Sequence, residues 1–345
     1  MMKNDGQEHV PGSGDGVKAI AAFSGGLDSI VAALLVRRAG IDVTLLHVQH
    51  LFSAGEAGRD AIRRAAEHAG LPLKIVDASA DHLEVIRHPR HGYGRGMNPC
   101  VDCRIFMLKI AKRVMEEEGA QFVVSGEVLG QRPKSQHAKA LQQAAEESGL
   151  SERLFRPLSA NLLPEALPVK EGWICKEDLP SIQGRSRDTQ MALARELGIE
   201  TYPQPAGGCV LIEPTYAARV RDAFVHVGRE NVDVDAFRLM KIGRHFRISE
   251  GAKAVVGRSE RENKILEGFV AGRIRIEPVG VMGPTTLVEG DPTEEDLRLV
   301  AALAGRYCDA DATVIFEVRD GTETRRIKAD PLASDDPRIA DWRIE

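Results

Sequence analysis

No apolar run in the 345 residues reaches the ~18 that a membrane-crossing helix needs, so no membrane partner is expected. Residues 1–16, MMKNDGQEHVPGSGDG, lack the apolar stretch of a secretory signal and read as a flexible lead-in. Cysteine is scarce: five residues, an odd number, do not make the framework of a small secreted domain. A reducing, cytoplasmic setting suits that usage better. No Gly-Lys-Ser/Thr closes a glycine loop, which excludes the Walker type of phosphate site. What remains is globular in composition, 43% hydrophobic and 28% charged, and long enough for two domains.

A glycine loop of another kind is present. VKAIAAF, residues 17–23, has the unbroken hydrophobicity of a strand buried in a parallel sheet. It breaks into Ser24-Gly25-Gly26-Leu27-Asp28-Ser29 and then into IVAALLVRRAG, a helix pattern. Strand, glycine turn and helix N-terminus together present unpaired N–H groups to an anion. Ser24 and Ser29 add hydroxyl donors. Asp28 repels a phosphate unless a Mg²⁺ lies between them. The candidate contacts are therefore Ala22, Phe23, Ser24, Gly25, Gly26, Leu27, Asp28 and Ser29.

Strands then alternate with helices. DVTLLHVQH, LPLKIVDAS, GAQFVVS and LFRPLS read as the second to fifth strands of a doubly wound parallel α/β sheet in the order 3-2-1-4-5. His47 and Gly126 end two of these strands beside the glycine loop, at the edge where such sheets bind ligands. Arg132 and Lys134 follow as phosphate candidates. HLEVIRHPRHGYGRGM (82–97) shows no periodicity and is expected to be a loop. Arg185 and Arg187 open a helical stretch, where they oppose the macrodipole and suit either an anionic partner or solvent.

Asn98-Pro99-Cys100-Val101-Asp102-Cys103 precedes a clear amphipathic helix, so two thiols stand at a helix N-terminus, where a thiolate is favoured. Two cysteines cannot complete a metal site. Cys209, in the turn PAGGC, is the third. Three cysteinates on a cubane cluster leave one iron open; zinc would require a fourth ligand or a water. Cys308 reads as an ordinary thiol, and Cys175 as the same or a fourth ligand.

With SGGLDS, NPCVDC and PAGGC in this order, residues 17–215 resemble the tRNA-thiolating branch of the PP-loop ATP pyrophosphatases, the tRNA 2-thiouridylases and 4-thiouridine synthases. The resemblance implies ATP on the glycine loop; by their strand-end positions His47 would meet its adenine or serve as a polar end-cap, and Gly126 would lie next to the loop. It also implies adenylation of a uridine carbonyl oxygen and its replacement by sulfur, and tRNA as partner. Asp28, Cys100, Cys103 and Cys209 become the catalytic candidates. Where the persulfide enzymes have Asp and then Cys, this chain has Cys at both 100 and 103. That resembles the iron–sulfur-dependent version, with a [4Fe–4S] cluster on Cys100, Cys103 and Cys209; a persulfide relay between Cys103 and Cys209 is the other option. The sulfur donor is a protein persulfide or free sulfide, and a homodimer is left open.

From Asn231 onward the charge redistributes. Residues 238–275 hold ten Lys/Arg against four Asp/Glu, whereas residues 289–345 hold eight against fifteen, in a chain of net charge −5. A basic segment inside an acidic chain suggests a local anionic partner. FRLMKIGRHFR and the following RSEREN resemble the RNA-binding domain of the NFACT proteins, which makes 230–345 a smaller α+β domain. Lys241, Arg244, His245, Arg247, Lys253 and Arg258 are its expected phosphate-facing stripe. Two other readings stand beside this one. One is a PP-loop ligase for a small molecule, like the 7-deazaguanine synthases with zinc-bound cysteines, although only the CxxC clusters here. The other is a non-catalytic RNA-binding protein with a nucleotide pocket.

Overall fold

The structure, a computed structural model, describes residues 16–53, 55–199, 202, 209–310 and 312–345. The expected lead-in and the PAGG of the third cysteine turn lie outside them. The chain divides into two compact units, one of residues 1–94 and 99–208, the other of residues 95–98 and 209–345.

In the first unit β1 (Lys18–Ala22), α1 (Leu27–Arg38), β2 (Asp42–Gln49), α2 (Gly55–Ala69) and β3 (Leu73–Asp77) alternate as the periodicity requires. They are followed by α3 (His82–Arg87), α4 (Cys100–Glu117), β4 (Phe122–Ser125), α5 (Ala138–Glu147), β5 (Leu154–Phe155), α6 (Leu167–Lys170) and α7 (Asp188–Glu196). The sheet is parallel throughout, in the order β3-β2-β1-β4-β5. β1 is central, and this is why its sequence is apolar without alternation. Ala19 and Ala21 pack with α1, α2 and Ala194 of α7, while Ile20 packs with α4 and α5 on the opposite face. Both faces are covered, and the carboxyl ends of β1, β2 and β4 remain as the open edge.

Three local expectations change. The segment after His82 is not all loop: α3 forms because Leu83 and Ile86 have a core to enter, and the Tyr93 hydroxyl donates to Ile86 O at 2.5 Å. The fifth strand keeps only two residues, since Pro157 opens a 3₁₀ turn directly after Arg156. α7 starts at Asp188, a carboxylate that suits its N-terminus, and Arg187 is only its N-cap residue.

The second unit contains α8 (Pro214–His226), α9 (Val234–Leu239), β6 (Arg244–Ser249), β7 (Ala252–Val256), α10 (Glu260–Leu266), β8 (Ile274–Pro278) and β9 (Thr286–Gly290). α11 (Glu294–Gly305), β10 (Val314–Asp320), β11 (Glu323–Ala329) and α12 (Pro337–Trp342) complete it. Its six strands form an antiparallel sheet in the order β11-β10-β8-β9-β7-β6. α11 closes one face with Leu297, Val300, Ala301 and Ala304, packed against Phe246, Ile276 and Phe316. The protein is thus an α/β parallel-sheet unit and a separate α+β unit. Among the described residues no helix is long and apolar enough to cross a membrane.

Candidate functional site

The glycine loop is tied to the sheet by Phe23 N donating to Leu46 O at 2.8 Å. Gly25 has φ +75°, a conformation that disfavours any side chain, and a Cβ there would also displace the mobile end of Ile62 of α2, 2.7 Å away. Gly26 stands in the N-cap position of α1 with extended backbone, and it supplies no side-chain cap. Ser29 Oγ donates to Gly26 O at 2.8 Å and lies 3.3 Å from Ser24 Oγ, which closes the turn. Gly126 packs so tightly beneath the loop that a Cβ would lie 2.6 Å from Asp28 O. The loop after β4 is therefore the floor of the loop after β1.

Above that floor is a cavity of about 260 Å³ lined by Ala22, Phe23, Ser24, Asp28, Ser29, His47 and Gly126, all sequence candidates. Arg132 joins them, and Gly25, Gly26, Leu27 and Lys134 do not line it. Residues that sequence reasoning did not select complete the wall: His50, Arg104, Glu127 and Gln131 among them. Asp28 Oδ2 accepts from Gln131 Nε2 at 3.2 Å and lies 3.7 Å from Arg187 Nη2. Its other oxygen, Oδ1, is buried with no hydrogen-bond partner among the described residues. A buried carboxylate oxygen left unpaired is costly, and a cation beside the loop would satisfy it. His47 Nδ1 is 3.0 Å from Phe23 O, and burial lowers the imidazole below its ordinary pKa, so it stays neutral.

α4 carries Cys100 and Cys103 on its first turn, and its N-terminus is anchored by Cys103 N donating to Pro99 O at 2.9 Å. Asp102 between them is buried and accepts from the backbone N–H groups of Arg90 and His91 at 3.0 and 3.1 Å. That pairing fixes the Gly/His/Arg-rich loop against the thiol turn. His82, 1% exposed, places Nε2 3.2 Å from Cys103 Sγ. Burial, reinforced by His50, pushes His82 down to about 3, so its imidazole is neutral. His82 packs against the rings of His50, Phe52 and Phe106, with centroids 5.1, 5.9 and 5.4 Å away. Through His50 this cluster reaches the cavity of the glycine loop.

Arg104, next to Cys103, is bonded to the Glu127 carboxylate, which also accepts from Arg156 Nε at 2.7 Å. Burial brings both guanidiniums down to about 10, still charged at neutral pH. The chemical signal for Arg104 in the sequence was its adjacency to Cys103; Glu127 follows Gly126 in the same way.

Cys209 belongs to the second unit, half-buried at the start of a 3₁₀ turn. Within that unit Met97 N donates to Leu211 O at 2.9 Å, and a Cβ on Gly96 would meet the same oxygen at 2.3 Å. Among the described residues no three His, Cys, Asp or Glu side chains stand together as a metal-ligating group. The Cys175 thiol donates to Glu177 Oε2 at 2.8 Å, which pushes its pKa up, and burial pushes Cys308 up to about 11.

The expected basic stripe of the second unit needs correction. His245 and Lys253 are buried, 1% and 4% exposed, and are not available to a phosphate. Lys253 is held at 2.9 Å by Glu289, which Arg273 also meets at 2.8 Å. Both faces of β6 and β7 are covered, so alternation does not send these side chains to solvent. Arg247 makes a two-pronged pair with Asp222 at 3.0 and 2.7 Å. Arg258 is engaged by Glu262, and Arg244 lies 4.6 Å above the Tyr307 ring. Lys241 is exposed.

Comparison with known proteins finds two family models that each match part of this chain. The model of the family described as thiamine biosynthesis protein (ThiI) matches residues 14–160, and that of the NFACT protein RNA binding domain matches residues 243–343. The tRNA-specific 2-thiouridylase MnmA of Azorhizobium caulinodans is 31% identical over 205 residues, 54% of this chain and 49% of that protein. The probable tRNA sulfurtransferase of Thermococcus kodakarensis is 30% identical over 119 residues, 33% of this chain and 30% of that protein. The chain therefore spans half or less of these two relatives. A solved structure, the U34-tRNA thiolase NcsA from Methanococcus maripaludis with its [4Fe-4S] cluster, is matched at a TM-score of 0.35. Sequence identity there is 20%, covering 68% of this chain and 75% of that one. The resemblance of both parts of the sequence, to PP-loop tRNA-thiolating enzymes and to the NFACT RNA-binding domain, is borne out.

Proposed function

We propose that the chain is an ATP-dependent tRNA sulfurtransferase that adenylates a uridine carbonyl oxygen and replaces it with sulfur. One observation carries this reading above others: the thiol turn and the nucleotide cavity share a wall. Arg104 adjoins Cys103 and lines the cavity, as does His50, which packs on His82 beside Cys103. Activation and sulfur delivery thereby meet across one turn of helix. The 2-thiouridylase and sulfurtransferase relatives support the same chemistry.

In this scheme the loop from Ser24 to Ser29 and the N-terminus of α1 hold the phosphates of ATP. The unpaired Asp28 Oδ1 suits the Mg²⁺ that ATP carries. Gly126 allows the floor to approach, and His47 stands where the adenine would lie. Attack by the uridine oxygen on the α-phosphate releases pyrophosphate, promoted by positioning and charge neutralisation. In this reading Cys100, Cys103 and Cys209 would be the protein ligands of a [4Fe–4S] cluster. When bound, such a cluster leaves one iron open to an incoming sulfide. His82 orients Cys103. Residues 17–215 are the catalytic part in this reading and 230–345 the RNA-binding part; of its expected stripe, Lys241 and Arg258 are exposed and Arg244 is half-buried. The reaction belongs in the cytoplasm, with its tRNA.

The test is the thiolated-nucleoside content of tRNA from a strain lacking the chain, with the wild-type gene and a Cys103→Ser variant restored in parallel. One thiouridine is expected to disappear and to return with the wild type alone. Unchanged thionucleosides would overturn the reading. Anaerobic purification should give a brown protein with about four irons, and colourless protein with stoichiometric zinc would point instead to the small-molecule ligase.

A further inference from the structure

Behind the nucleotide cavity lies a buried cluster whose charges do not cancel. Arg104 and Arg156 share the single carboxylate of Glu127, and the three side chains are 15%, 8% and 9% exposed. Arg156 is turned away, donating through Nη2 to Leu141 O at 2.9 Å. Arg104 faces the cavity, which Arg132 also lines. The other carboxylate of that wall, Asp28, already has Arg187 3.7 Å from it. Arg104 Nε is buried with no hydrogen-bond partner among the described residues. A buried excess of positive charge with an unused donor is costly unless an anion completes it. In the proposed scheme the glycine loop receives phosphates in the same cavity, and Arg104, which lines it, directly follows Cys103 in the chain.

We infer that Arg104 is the cation that contacts the α-phosphate, and that Glu127 positions it. The inference rests on the proposed adenylation. As the uridine oxygen bonds to the α-phosphorus, the bond to the β-phosphate oxygen breaks and pyrophosphate leaves with the electron pair. Arg104 then faces the charge on the α-phosphate oxygens. Hydrosulfide-level sulfur from the donor next adds to the base carbon and loses its proton. The carbon–oxygen bond breaks, and AMP departs with that oxygen and its electron pair. The same guanidinium serves both steps because it adjoins Cys103 in the chain. No other residue of the cavity wall has that tie.

Two ligands separate this contact from general damage: pyrophosphate, which lacks the α-position, and AMP, which has only that phosphate. Calorimetric titration of the full chain with each, with Mg²⁺ present, is the measurement. Arg104→Gln should weaken AMP about tenfold while pyrophosphate binding is unchanged, the loss of one charge-assisted contact. Arg104→Lys keeps the charge and loses the fork, and should weaken AMP about threefold; it serves as the readout if the Gln variant fails to fold. Guanidinium at millimolar concentration should restore AMP binding to Arg104→Gln. Equal loss of both ligands, or loss of neither, overturns the role of Arg104 while leaving the nucleotide site intact. A wild-type chain that binds neither ligand overturns the adenylation reading itself, and this inference with it.

Discussion

Gly126 shows how much of the site rests on the absence of one methyl group. A Cβ would sit 2.6 Å from Asp28 O, against backbone that cannot rotate away. Gly126→Ala must push the β4 loop off the floor of the nucleotide loop. The expected cost is about 1–3 kcal/mol of stability, typical of forced overpacking, together with weakened ATP binding. Denaturant midpoints and an ATP titration check both. Wild-type ATP affinity in the variant would mean that the two loops do not depend on this approach. The neighbouring residue, Glu127, shows the opposite strategy: it fills space with charge and holds two buried guanidiniums.

At the scale of elements, the twelve-residue helices α1 and α11 begin differently. Thr293 caps α11 with a full capping box, its hydroxyl accepting from Asp296 N while Asp296 accepts from Thr293 N. α1 begins at Gly26 without a side-chain cap among the described residues. Leaving those N–H groups open gives up a few tenths of a kcal/mol of helix stability, the usual difference between Gly and Ser at this position. The gain is a set of donors for phosphate. Gly26→Ser fits sterically, since the added Cβ would meet Ser24 Oγ at 3.4 Å. The variant is expected to raise the melting temperature of the ligand-free protein slightly and to lower ATP affinity severalfold, as the new hydroxyl competes for the amides. Thermal melts with and without ATP report both effects, and an unchanged ligand-induced shift would contradict the assignment.

For the molecule as a whole, acid stability is set in part by a histidine of the second unit. His245 is buried in the second unit, its Nε2 2.8 Å from Ile242 O, and burial lowers its pKa well below the ordinary value. The unfolded chain takes up a proton near pH 6.5, whereas the folded chain does not. Stability from this residue is therefore full above about pH 6.5 and is lost progressively as pH falls below it. Urea midpoints measured from pH 7.5 to 5 should fall with decreasing pH. In His245→Gln, which retains a donor for Ile242 O, the slope should be shallower. Parallel slopes in the two proteins would assign the acid sensitivity elsewhere.

Much of this was legible in order along the chain. The unbroken apolar run of β1, the glycine turn and the helix pattern of α1 are short-range features, governed by period and backbone freedom, and they determined the sheet order and the phosphate loop. NPCVDC likewise declared a thiol turn on a helix. Tertiary structure decided what faces what. His245 and Lys253 read as part of a basic stripe, yet the sheet buries them, because a letter in a sequence does not say whether its face of the strand is covered. His82 lay in a stretch without periodicity, and only folding brought it to Cys103. The pairing of Arg104 with Arg156 through Glu127 joins residues up to 52 positions apart. Such an unbalanced charge is invisible until the chain closes around it, because charge balance is a property of a volume and not of a segment.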